Sequence, residues 1–155
     1  MSYRVLSLFS GAGGMDLGFR GGFEFLADKY EPRKFQIVRA YDNDPKAVET
    51  YNRNLEPVCR LKDVTSLTPD EIPSHIHVVL GGFPCQDFSI SGKRQGITVS
   101  RGKLYQALVK VIEWTNPLVF VAENVKGLLS ANNGLAIRVI TEDFAKAGMG
   151  YRVYT

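Results

Sequence analysis

Short apolar runs alternate with longer segments of helical period along the whole chain. Val5–Phe9 reads as a first strand, and Gly11–Gly14 as a turn after it. A helix opens over Met15–Phe19. Phe35–Tyr41 predicts a second strand. Asp44–Asn54 predicts a helix, with Asp44 as N-cap and Pro45 at its first position. Val58–Leu61 is a short third strand and His77–Leu80 a fourth. Apolar positions 104, 108, 111 and 112 mark a helix over Leu104–Trp114. Leu118–Ala122 is nearly all apolar, as a strand covered on both faces should be. A helix over Leu135–Ala147 stops at Gly148, and Tyr151–Tyr154 begins a sixth strand. Strand and helix in alternation predict one doubly wound, mostly parallel α/β sheet spanning residues 1–155. Ligands of such sheets bind beyond the carboxyl ends of the strands.

Composition changes this picture little. The 155 residues suffice for one domain with a core; 45% are hydrophobic and 23% charged, as in ordinary globular chains. No apolar run reaches the roughly eighteen residues of a membrane span. The N-terminal apolar run is too short for a signal peptide and leads into glycines. Cys59 and Cys85 make neither a disulfide framework nor a metal-ligand spacing, so no metal is expected. A cytoplasmic location is expected. The net charge of +3 points only weakly to a polyanionic partner.

The candidate chemistry falls at the predicted strand ends. Cys85 follows Gly82, Phe83 and Pro84, between an apolar strand and a polar loop. A rigid strand holds a nucleophile there while the loop admits substrate. Glu123 follows the fifth strand on the same sheet edge, and adjacent strands lie about 5 Å apart. A thiolate and a proton-donating carboxyl suit attack on an electron-poor ring.

Phe9-Ser10-Gly11-Ala12-Gly13-Gly14-Met15-Asp16 follows the first strand. Its glycines permit close approach of a ligand. Counting from Gly11, the third glycine of a dinucleotide fingerprint is replaced by Asp16, which argues against a nicotinamide dehydrogenase. A cradle ending in a carboxylate suits a ligand with a cationic amino group. Asp42 is placed for ribose hydroxyls and Asp63 for an adenine amino group. Amine, ribose and adenine together describe S-adenosylmethionine. Phe88–Ile112 has no acidic residue but carries Lys93, Arg94, Arg101 and Lys103, as a lid over a phosphate backbone would.

Taken together, these segments resemble the N-terminal part of the catalytic domain of the C5-cytosine DNA methyltransferases. Phe9–Gly14 is similar to that family's first motif, Asp42-Asn43-Asp44 to its second and Lys62-Asp63-Val64 to its third. Gly82–Gln86 resembles the catalytic fourth motif and Glu123-Asn124-Val125 the sixth. Arg101–Leu104 resembles the fifth, whose leucine lines the cofactor site. The resemblance implies a Rossmann-like sheet of the S-adenosylmethionine-dependent methyltransferase type, incomplete at its C-terminal edge. It implies a cofactor wall of Phe9 to Met15, Asp42, Asn43, Asp63, Val64, Gly82, Pro84 and Leu104. It further implies Cys85 as nucleophile toward C6 of a flipped-out cytosine, Glu123 at N3, and Asn124 holding the base. The resemblance also implies that Gln86 and Ser89 join Lys93, Arg94, Arg101 and Lys103 in holding double-stranded DNA. Restriction-modification is the expected setting.

Two departures accompany the resemblance. Gly11 and Asp42 are about thirty residues apart rather than roughly twenty, which places an insertion in Asp28–Lys34. The family's later segments, including target recognition and a strand between the fifth and sixth, are absent from these residues. They are expected on a missing segment or a second chain. A non-catalytic S-adenosylmethionine-binding module and an RNA cytosine-5 methyltransferase are the alternatives.

Overall fold

The computed structural model describes residues 2–84 and 103–155, apart from the side chains of Lys103 and Asn132. The strands are β1 (Tyr3–Leu8), β2 (Phe23–Phe25), β3 (Asp28–Tyr30), β4 (Phe35–Asp42), β5 (Cys59–Leu61), β6 (Val78–Gly82) and β7 (Val119–Glu123). The α-helices are α1 (Gly14–Arg20), α2 (Pro45–Asn54), α3 (Lys103–Thr115) and α4 (Leu135–Lys146). Short 3-10 turns cover Val64–Ser66, Pro69–Glu71, Lys126–Leu129 and Ala131–Gly134.

The central sheet runs β5-β4-β1-β6-β7, with every pairing parallel. Period-two patterning divides its side chains between two cores. Val5, Val78 and Leu80 pack with Met15 and Phe19 of α1 and Tyr51 of α2. Leu6, Leu8 and Val79 pack with Leu108 and Ile112 of α3 and Ile140 and Phe144 of α4. Helices therefore cover both faces, as the alternation predicts. From β1 the chain steps outward to β4 and β5, then returns to β6 and β7 on the other side. In such sheets ligands bind at that reversal, beyond the carboxyl ends of the strands.

Three expectations change. The insertion is a β-hairpin, β2–β3, beginning earlier than Asp28–Lys34 and held by stacking of Phe23 on Tyr30 at 4.6 Å. Phe9 leaves the first strand, with φ 54°. Residues 151–155 form no strand; the Tyr151 amide donates to Ala145 O and its hydroxyl to Pro117 O, which turns the segment back onto α4.

Candidate active site

One row of residues ends the strands. Asp42 is paired with Leu61, and Gly82 with Glu123. Leu8, one step earlier, pairs with Tyr41 on one side and Gly81 on the other. The ends of β1, β4, β5, β6 and β7 thus present the glycine turn, Asp42, Gly82 and Glu123 along one edge.

The glycine turn is shaped from both sides. Gly11 and Gly13 have φ of +53° and +90°, where a side chain is strained. Nothing lies within 4 Å of where a Cβ would stand on Gly11 or Gly14, so the turn's outer surface is open. Gly13 faces inward: a Cβ there would meet Leu55 Cδ1 at 2.2 Å and Tyr51 ring carbons at 2.9 Å.

Asp42 braces this turn. Its Oδ2 accepts from the Gly11 amide at 2.8 Å and its Oδ1 from the Asp44 amide at 2.9 Å. A carboxylate has about four acceptor positions, so two remain for hydroxyl donors. Asn43 beside it is exposed. Asp63 caps the next 3-10 turn, its Oδ1 accepting from the Thr65 amide and hydroxyl at 2.8 and 2.7 Å. This segment is pinned to β4 by the Lys62 amide on Asp42 O and by Tyr41 donating to Glu71 O, and a 2.8 Å Lys62–Glu71 pair closes it on itself. That pair holds the Glu71 carboxyl below its usual range. Val64 points into the larger core at 4% exposure, so only its main chain faces the edge.

Asp16 is corrected more sharply. The carboxylate expected to meet an amino group is 1% exposed and turned away from the edge. Its Oδ1 accepts from Ser7 Oγ at 2.7 Å and its Oδ2 from the Tyr51 hydroxyl at 2.6 Å. Burial raises the Asp16 carboxyl and the Tyr51 phenol above their ordinary ranges. Ser7 and Tyr51 are missed by sequence reasoning. The available signal is a serine inside the otherwise apolar Val5–Leu8 run, since a buried hydroxyl needs a partner.

Gly82 joins the two halves of the site. A Cβ on it would lie 3.4 Å from Glu123 Oε2, 3.8 Å from Met15 Cε and 3.9 Å from Phe9 O. Glu123 is exposed, and Pro84 is exposed two residues beyond Gly82. Asn124 reaches across to donate Nδ2 to Phe83 O at 2.6 Å, tying the end of β7 to the chain that enters Pro84. Leu104 packs partly buried against the core at the start of α3. Cys85, Gln86, Ser89, Lys93, Arg94 and Arg101 lie outside the described residues, as does the side chain of Lys103. Cys59 is 1% exposed, its Sγ 3.3 Å from Ser10 Oγ, and burial pushes its thiol up. A buried, protonated thiol is a poor nucleophile. Among the described residues no group of His, Cys, Asp and Glu could hold a metal, and no helix could cross a membrane.

Comparison with known families matches residues 3–155 to the C-5 cytosine-specific DNA methylases. The chain belongs to this family. Type II methyltransferase M.NgoFVII of Neisseria gonorrhoeae is 41% identical over 94% of the chain, and M.FnuDI of Fusobacterium nucleatum 39% over 97%. The chain spans 36% and 40% of those relatives' lengths. The S. pombe Dnmt2 methyltransferase superposes with a TM-score of 0.64 at 26% identity, over 92% of this chain and 42% of that one. For a C-5 cytosine methylase the methyl donor is S-adenosylmethionine. The open turn at Gly11 and Gly14, and the acceptor positions left on Asp42, fit such a ligand.

Proposed function

We propose that this chain is the cofactor-binding and catalytic portion of a DNA cytosine-5 methyltransferase of restriction-modification type, acting in the cytoplasm. The observation that carries the reading is the pairing of Gly82 with Glu123. It sets a carboxyl beside the strand that leads through Pro84 to Cys85. Phe9–Met15 would cradle the cofactor, Asp42 and Asn43 its ribose, and Asp63 with the Val64 main chain its adenine. Gly82, Pro84 and Leu104 would complete the wall.

Bound S-adenosylmethionine supplies an electrophilic methyl group. The Cys85 thiolate forms a bond to C6 of an extruded cytosine. Glu123 donates a hydrogen bond or proton at N3, which draws charge from the ring as that bond forms. Asn124, held on Phe83 O, would keep the base in register with the chain that enters Pro84. The addition would open the C5–C6 double bond, so that C5 could take the methyl group and leave the sulfonium as a neutral thioether; a base would then remove the C5 proton and Cys85 would depart as thiolate, restoring the double bond. Gln86, Ser89, Lys93, Arg94, Arg101 and Lys103 would hold the duplex. Target recognition would come from a further segment or chain, one strand of which would lie beside β7.

The test is covalent capture with duplex DNA containing 5-fluorocytosine and S-adenosylmethionine, beside a cofactor titration. Fluorine does not leave C5 as a proton does, so transfer traps the cysteine adduct. The expected result is an adduct that Cys85→Ala abolishes while cofactor affinity is kept. Cofactor binding with no adduct on DNA by this chain alone points to a catalytic half that needs the further segment, and no adduct once that segment is supplied overturns the catalytic reading in favour of a cofactor-binding module. An adduct only with 5-fluorocytosine RNA overturns the DNA substrate, and no cofactor binding overturns the site.

A further inference from the structure

The glycine turn hangs between two stems, Ser7 on β1 and Asp16 on α1. One buried carboxylate ties both: Asp16 Oδ1 takes the Ser7 hydroxyl and Oδ2 the Tyr51 hydroxyl. Tyr51 is 0% exposed, and its ring is the surface against which Gly13 packs. The next residue, Asn52, locks α2 to β5 by two 3.0 Å bonds with the Cys59 backbone. At its other end α2 starts from Asp44, whose amide holds Asp42. Tyr51 therefore stands where the turn, Asp16 and the last turn of α2 meet. A Tyr51 ring displaced toward Gly13 would push the turn outward, because no space separates them.

We propose that Tyr51 is a positioning residue for the cofactor turn, acting through Asp16. Its hydroxyl holds the ring at the depth that lets Gly13 sit down and leaves Gly11 and Gly14 open. Asp16 serves as the hydrogen-bond acceptor for this arrangement, not as a charge for the ligand's amino group. This rests on the reading that residues 9–15 bind S-adenosylmethionine.

Asparagine separates geometry from charge. In Asp16→Asn, Oδ1 can accept from Tyr51 while Nδ2 donates to Ser7 Oγ. Alanine makes neither bond. The experiment measures S-adenosylmethionine dissociation constants of the folded chain, and amide exchange at residues 11–15 without cofactor. Tyr51→Phe and Asp16→Ala are expected to weaken binding about tenfold, as the loss of a buried partner implies, and to speed exchange in the turn. Ser7→Ala is the milder variant, should either of these fail to fold. Asp16→Asn is expected to restore both readouts. Affinity and exchange unchanged in Tyr51→Phe would overturn the proposal. So would an Asp16→Asn protein as weak as Asp16→Ala, which would return the role to charge. If the unmutated chain binds no cofactor, the site reading fails separately. The exchange measurement then decides the positioning role, and an unaltered turn in Tyr51→Phe overturns it.

Discussion

Gly13 and Gly18 show how one residue type plays two parts within six positions. Gly13 is buried with φ +90°, and a Cβ there would collide with Leu55 and Tyr51. Gly18 lies exposed on α1 with nothing within 4 Å of a Cβ. Gly13→Ala is expected to cost about 2–4 kcal/mol, from overpacking added to left-handed strain. Gly18→Ala should stabilise by about 0.5–1 kcal/mol through helix propensity. Urea unfolding of both variants checks the contrast, and equal effects would remove Tyr51 as the floor of the turn. Asp16 carries a pH signature at the same scale. Its folded carboxyl is raised above the usual 3.8, chiefly by burial. Such a group contributes most below that value and loses its contribution as pH rises through the raised one. Asparagine has no such titration. The stability of Asp16→Asn relative to the unmutated chain should therefore climb as pH increases from about 4 toward neutrality. Parallel pH profiles would mean that the carboxyl is not held above its ordinary range. Sequence reading placed Asp16 at the site's threshold but turned it toward the ligand, the wrong way. Direction depended on Tyr51, 35 positions away, and local spacing carries no such information.

The hairpin β2–β3 is where local chemistry disagrees most with conformation. Its turn residues Leu26 and Ala27 have φ of 48° and 67°. Two successive left-handed positions favour Asn-Gly, and Leu pays a steric penalty there. Leu26→Asn with Ala27→Gly is expected to raise the unfolding free energy by about 1–2 kcal/mol. Cofactor affinity should not move, because the hairpin follows the end of α1 remote from the strand-end row. Denaturant unfolding paired with a cofactor titration separates these effects; a changed affinity would show that the hairpin reaches the site. The missing turn signal also explains why the hairpin is illegible in sequence: Leu26-Ala27 reads as neither turn nor strand boundary. The central strands were legible for the opposite reason. Val5–Leu8, Val78–Leu80 and Val119–Ala122 are apolar runs bounded by turns, and α2 announces itself with Asp44 and Pro45. Tyr151–Tyr154 alternates as a strand would but pairs with no described strand, because its Tyr151 amide and hydroxyl are held by Ala145 O and Pro117 O. Strand propensity without a partner does not make a strand.

At the scale of the whole molecule, the two edges of the described sheet differ. The β5 edge is three residues long and backed by α2, which limits its capacity to pair. The β7 edge is longer and apolar. Leu118 is 68% exposed and Val119 52%. Beside them lies a groove of about 440 Å³ lined by Phe120, Ile137, Ile140 and Phe144, with Tyr151 standing edge-on to Phe120. The composition of Leu118–Ala122 suits a strand covered on both faces and flanked by neighbours, yet among the described residues β7 has a neighbour on one side only. Burying the exposed half of Val119 is worth about 1 kcal/mol, and an unpaired parallel edge adds a row of amides and carbonyls seeking partners. The 155-residue chain alone is therefore expected to associate as its concentration rises, edge to edge through β7. Val119→Lys places a charge on that edge and should hold the chain monomeric without altering the strand-end row. Sedimentation velocity over a hundredfold range of concentration reads both species. If the lysine variant associates as readily as the unmutated chain, contact is made elsewhere. If it stays monomeric and still binds cofactor, the edge and the site are separable parts of one sheet. The segment proposed to lie beside β7 would then meet a surface that already favours strand addition.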